Sequence, residues 1–162
     1  MGDRKDWTRW WRRFLGLSQD KSLQTVDILR QRYVEEMQQS ELFQQHAETM
    51  HYPQFRDKLI QLGAEKNKNA ERIAEKIVAL GGKLPDLQEH RASHENSWQT
   101  LRTALEEENR IADRLVAQLP GIEPDHPEIM QLLRQIAQQQ RKHREELQDM
   151  LMRSDPFALS LA

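Results

Sequence analysis

Cysteine is absent from the 162-residue chain. Disulfides, thiol catalysis and Cys-ligated zinc or iron–sulfur centres are therefore excluded. Glycine and proline are scarce, with six of each, and no run alternates in the manner of a strand, so a sheet protein is excluded as well. No stretch approaches the roughly 18 consecutive apolar residues of a membrane-spanning helix. The N-terminus is interrupted by arginines and lacks the apolar run and small-residue cleavage site of a secretory signal, so a cytoplasmic protein is the expectation. A formal net charge of −2 gives no reason to expect nucleic acid as a partner. What the chain does have is charge, 31% of it against 37% hydrophobic residues, the composition of long amphipathic helices. Its length fits one domain with a core large enough to stand without staples.

Residues 3–16 place Trp7, Trp10, Trp11 and Phe14 at i, i+3, i+4 and i+7, with Arg4, Lys5, Arg9, Arg12 and Arg13 largely on the other side. This spacing predicts a short basic amphipathic helix. It suits docking on an anionic membrane surface, with the protein peripheral there, or on a protein partner; equally it suits folding back on the chain's own bundle or on a symmetry mate. Leu15-Gly16-Leu17-Ser18 reads as the helix exit. The organisation expected is a basic Trp-rich helix and linker over residues 1–19, a helical bundle over 20–153, and a short apolar tail over 154–162.

Four long helices follow. The first, about residues 21–49, has the inward row Val26, Leu29, Tyr33, Glu36 with Met37, Ser40, Phe43 and Ala47. The second starts at Tyr52-Pro53 and stops at Gly81-Gly82, signals that suit a first turn and a C-terminal cap. Its row is Phe55, Leu59, Leu62, Lys66, Asn69, Ile73, Ile77 and Leu80. Only about three residues separate these two helices, which forces an antiparallel hairpin. Residues 83–88 lack helical period and form the natural crossover. The third helix, from near Ser93 to about Gln118, presents Trp98, Leu101, Leu105, Glu108, Ala112 and Leu115. After Pro120-Gly121, Asp125-His126-Pro127-Glu128 is a start signal for the fourth, with Asp125 as its cap. That helix shows Ile129, Leu132, Leu133, Ile136, Gln140, His143, Leu147 and Met150. The glutamines at 138–140 otherwise read as exposed helix.

Each helix thus brings polar residues to the centre of an apolar row, in the order one, two, one, two: Glu36; Lys66 and Asn69; Glu108; Gln140 and His143. In a diiron carboxylate bundle the corresponding order is Glu, Glu-x-x-His, Glu, Glu-x-x-His. Count and i, i+3 spacing agree.

On these residues the chain resembles the bacterioferritin and rubrerythrin branch of the ferritin-like superfamily over most of 23–152. Asn69-Ala70-Glu71-Arg72-Ile73 followed by Leu80-Gly81-Gly82-Lys83-Leu84-Pro85 is similar to the family's second helix and crossover. Leu132-Leu133-Arg134-Gln135-Ile136 through Gln140-Arg141-Lys142-His143 is similar to the segment that carries the second Glu-x-x-His. The resemblance implies an all-α, antiparallel four-helix bundle with a crossover between its second and third helices, here preceded by the short N-terminal amphipathic helix. It puts Glu36 and Glu108 at the single-glutamate positions, with Glu35 or Glu107 as the one-residue register alternatives, and His143 at a ligand histidine. The departures are Lys66 for a bridging Glu, Asn69 for a His and Gln140 for the other bridging Glu. Asn67 stands where a haem-ligating Met would be, so no haem is expected.

Two ferrous ions carry a charge of +4, and a protonated lysine has no lone pair to offer them. Lys66 is therefore expected to replace the metal, as one buried cation between Glu36 and Glu108 with Asn69, Gln140 and His143 supplying hydrogen bonds. Two further readings stay open: a single iron or manganese on Glu36, Glu108 and His143, and an amine at Lys66 acting as base or nucleophile. The expectation is a metal-free, non-enzymatic interaction or scaffold protein that forms homo-oligomers. Trp7, Trp10, Trp11, Phe14, Arg9, Arg12 and Arg13 are its candidate docking residues. The alternative is an iron-dependent oxidoreductase or storage-like protein with an altered site. His90 with His94, and His46 with His51, lack a third ligand in register.

Overall fold

The computed structural model describes residues 4–89, 96–122 and 126–156, with side chains from residue 22 onward. Four α-helices follow in order: α1 Arg4–Thr49, α2 Pro53–Ala79, α3 Ser97–Gln118 and α4 Pro127–Arg153, with a 3₁₀ turn at Leu119–Gly121 after α3. The N-terminal helix and the first bundle helix are one element. The exit expected at Leu15–Ser18 is helical, because a lone glycine inside a helix costs only about 1 kcal/mol and no proline is present to stop it. The docking residues between Trp7 and Phe14 lie on this helix, but their side chains fall outside those described, as does the apolar tail beyond Pro156.

Local chemistry sets the other helix ends. Pro53 occupies the first turn of α2. At its C-terminus Gly81 adopts φ 75°, and the N–H groups of Gly81 and Gly82 donate to the carbonyls of Val78 and Ile77, the paired bonds of a Schellman cap. α3 starts four residues later than expected, at Ser97. Asn96 caps it, accepting from the Gln99 N–H at 2.8 Å while the Gln99 side chain accepts from the Asn96 N–H, a reciprocal box that fixes the start. Pro127 opens α4 after His126 rather than Asp125, which lies outside the described residues.

The short link at residues 50–52 makes α1 and α2 an antiparallel hairpin, and the 3₁₀ turn does the same for α3 and α4. The connection between the hairpins runs the length of the molecule. It leaves α2 where Gly82 lies against Val26, and α3 begins at the opposite end, where Ser97 Oγ lies 3.4 Å from the His51 backbone N. The result is an all-α four-helix bundle of ferritin-like type with a crossover between α2 and α3.

The core falls into two apolar blocks. One gathers Leu29, Ile73, Ile77, Leu115, Leu133 and Ile136 around it; the other gathers Phe43, Phe55, Leu59, Leu62, Leu101 and Leu147. Between them, at mid-height, every helix contributes buried polar side chains. Tyr33, Met37, Trp98, Leu105 and Ala112, expected in the inward rows, are only partly buried. Arg32, Gln39, Thr100, Ala104 and Ile111 take the interior instead.

Candidate functional site

Lys66 has no solvent exposure and sits at the centre of the polar layer. Its Nζ lies 2.7 Å from Glu108 Oε1 and 3.4 Å from Glu36 Oε1. Burial acts to lower the pKa of this amine, but the two carboxylates outweigh it and hold the value above the ordinary 10.5. Lys66 is thus an ammonium locked between two helices, one on either hairpin.

The remaining sequence-predicted residues gather around that ion pair. Asn69 Nδ2 donates to Glu36 Oε2 at 3.0 Å, and Gln140 Nε2 approaches Glu36 Oε1 at 3.5 Å. Glu36 is therefore enclosed by an ammonium and two amide donors. His143 is buried beside them but turns its Nε2 to Glu65 Oε2, 2.8 Å away. Glu108 Oε2, Gln140 Oε1 and His143 Nδ1 are buried with no hydrogen-bond partner among the described residues. Glu35 and Glu107, the one-residue register alternatives, lie away from Lys66. Both pair with Arg114 and line a groove between α1 and α3 beneath Pro85.

Three residues belong to the layer that the row analysis passes over. Arg32 is fully buried one turn before Glu36, donates from NH1 to the Ile111 carbonyl at 3.2 Å and pairs with Glu35. Its pKa is lowered to about 10, because burial outweighs the attraction of Glu36 and Glu108. Glu65 and Gln139 form the opposite edge. Gln139 Oε1 accepts from Asn69 at 2.9 Å, and its Nε2 donates to Glu65 Oε2 at 2.8 Å. Burial favours the neutral form of Glu65, yet hydrogen bonds from His143, Gln61 and Gln139 together hold its carboxyl below the usual 4.5. With that carboxylate ionised, His143 Nε2 carries the proton. Gln139 is therefore a structural link and not the idle exposed glutamine that its neighbours suggest. The sequence signals were Arg32 at i−4 from Glu36, Glu65 at i−4 from Asn69, and Gln139 adjacent to Gln140.

Two polar networks thus share the layer: Arg114, Glu35 and Arg32 on the α1–α3 side, and Glu36, Lys66 and Glu108 continuing through Asn69, Gln139 and Glu65 to His143 on the α2–α4 side, with Arg32 acting on Glu36 and Glu108 through its charge alone. The buried cations Lys66 and Arg32 and the half-exposed Arg114 face the carboxylates Glu35, Glu36 and Glu108, so charge is compensated within the protein. Among the described residues no group of three or more His, Asp and Glu is arranged to hold a metal ion. Nor is any described helix long and apolar enough to cross a membrane. His51 pairs with Ser97, Nδ1 to Oγ at 3.2 Å, while His90 and His94 lie outside the described residues.

Comparison with known proteins gives three findings. No curated protein matches the chain. Among 33 matching chains of known structure is the bacterioferritin of Desulfovibrio desulfuricans, a protein with a diiron site seen in different catalytic states. The TM-score is 0.70 at 16% identity, over 82% of this chain and 81% of that one, a likeness of fold. The family model for the ferritin-like domain matches residues 26–155, and the chain belongs to that family.

Proposed function

We propose that this protein is a metal-free, non-enzymatic member of the bacterioferritin and rubrerythrin branch, a self-associating interaction or scaffold protein whose bundle centre is held by its own cation. The single observation that carries this reading is the position of Lys66 Nζ between Glu108 and Glu36.

A dinuclear iron centre does not fit the residues present. Its two single glutamates have counterparts in Glu36 and Glu108, but the Glu-x-x-His of α2 is replaced by Lys66 and Asn69, and that of α4 by Gln140 and His143. An ammonium repels a cation placed in the same cavity. Asn69 and Gln140 turn their N–H groups, not their lone pairs, toward Glu36. The amine also argues against catalysis at Lys66, since a base or nucleophile needs a lowered pKa and the carboxylates raise this one.

One competing reading has support of its own. The buried lone pairs of Glu108 Oε2 and His143 Nδ1 lack partners among the described residues, so one iron or manganese could take Glu36, Glu108 and His143 if Lys66 swung away. The two readings part on metal content. Purified protein is incubated with ferrous iron in air, desalted and assayed for bound metal. No bound iron is the expected result, and about two per chain would overturn the proposal. One per chain, abolished by His143→Ala, would establish the competing reading.

A further inference from the structure

α1 continues where the rest of its bundle ends. The backbone at Gly82, after α2, lies against Val26, and that at Gly121, after α3, against Gln24 and Ile28. Ile129, in the first turn of α4, packs with Ile28 and Leu29. The other three helices therefore terminate level with residues 24–29, while residues 4–22 carry α1 onward as helix for roughly 28 Å at 1.5 Å per residue.

The direction of this extension follows from helical period. At about 100° per residue, positions 7, 10, 11 and 14 share an angular sector with Thr25, Leu29, Arg32, Glu36 and Phe43, all of them buried in the bundle. The aromatic row is thus the prolongation of the core row, past the point where α2, α3 and α4 stop. A flat bilayer laid along it would have to pass through those three helices, which stand on the same side of α1. The place beside this row is one that α2, α3 and α4 do not reach.

We propose that a second copy of this chain fills it, its own extension packed antiparallel about a two-fold axis near residue 12. In that register Trp10 lies opposite Phe14 and Trp7 opposite Leu17. Each extension ends just short of the other copy's bundle, taking the place of the helices that stop there. Arg9, Arg12 and Arg13 fall on the opposite sector. Four aromatic residues per copy, at about 150–250 Å² each, bury on the order of 1,200–2,000 Å² in all. That is the area of a specific, stable interface. The inference gives a surface to the self-association in the preceding section and is independent of what occupies the bundle centre.

Sedimentation of the full-length protein tests it. The wild type is expected to sediment as a dimer, and Trp10→Glu/Phe14→Glu as a monomer with unchanged helical circular dichroism. Because the chain has no native cysteine, crosslinking reads the register. Trp7→Cys chains mixed with Leu17→Cys chains should form a disulfide on oxidation. Trp7→Cys chains alone should not, their sulfurs being about 15 Å apart along the axis. A monomeric wild type, a dimer that survives Trp10→Glu/Phe14→Glu, or crosslinking of Trp7→Cys alone would each overturn the proposal. So would a monomer that co-sediments with phosphatidylserine vesicles through residues 4–22, which would assign the segment to membranes.

Discussion

Lys66 and Glu108 meet at 2.7 Å between α2 and α3, and neither side chain has any exposure to water. The pair joins the two helical hairpins at the height where the apolar core is interrupted. Glu108 Oε2 has no hydrogen-bond partner among the described residues, so Lys66 is its principal compensation. Substituting Lys66→Met should leave both Glu108 and Glu36 under-compensated in the interior and destabilise the fold by about 3–5 kcal/mol. Combining it with Glu108→Gln should recover part of that loss. Urea unfolding of the two single variants and the double variant reads the coupling, and strict additivity would show that the pair is not energetically joined.

Arg32 should behave differently, although it is buried in the same layer. At Lys66 the carboxylates outweigh burial, whereas at Arg32 burial outweighs the carboxylates and the pKa falls to about 10. Glu35 also has a second partner in Arg114, at 2.9 Å. Arg32→Met, of similar length and without charge, should therefore cost less than about half of what Lys66→Met costs, chiefly the hydrogen bond to the Ile111 carbonyl. Denaturant midpoints at neutral pH compare the two, and an equal or larger loss at position 32 would refute the distinction.

This contrast also marks how far the sequence could be read. Lys66, Asn69, Gln140 and His143 were legible because a polar residue at helical period inside an apolar row has nowhere to go but inward, and because their i, i+3 spacing repeats on two helices. Arg32 was not, since the row of Val26, Leu29, Tyr33 and Glu36 puts position 32 at its flank, whereas the packed helix buries the sector of Thr25, Arg32 and Phe43, and the partner of Arg32, Ile111 of α3, lies 79 residues later in the chain. The same applies to Glu65 and Gln139, which matter through each other across α2 and α4. Gly16 alone does not end a helix, at a cost of only about 1 kcal/mol, so α1 runs through it, whereas Asn96-x-x-Gln99 is a start signal for α3 that the sequence does carry.

Acid should loosen the α2–α4 side. The Glu65 carboxyl is held below 4.5 by His143, Gln61 and Gln139 against the opposing effect of burial. A depressed carboxyl pKa stabilises the native state above the unfolded value, and that contribution disappears as pH falls through the folded value. Melting temperature should thus fall more steeply below about pH 4.5 in the wild type than in Glu65→Gln, which has no carboxyl to protonate. Parallel curves for the two proteins would mean that Glu65 carries no such linkage.

If Lys66 stands where a metal site has been lost, restoring the ligands should restore the metal. Lys66→Glu, Asn69→His and Gln140→Glu together recreate a glutamate on α1 and α3 and Glu-x-x-His on α2 and α4, on the same inward rows. The triple variant loses the internal cation and gains carboxylates that only a divalent ion can balance, so without metal it should be less stable than the wild type. Metal added to it should raise its melting temperature, by a linkage that grows with free metal concentration, and the wild type should show no such rise. Elemental analysis after loading with zinc or ferrous iron is expected to give about two ions per triple-variant chain. If the triple variant folds but takes up no metal, these positions do not have the geometry of a ligand set, and Lys66 occupies an interior that was never built around iron.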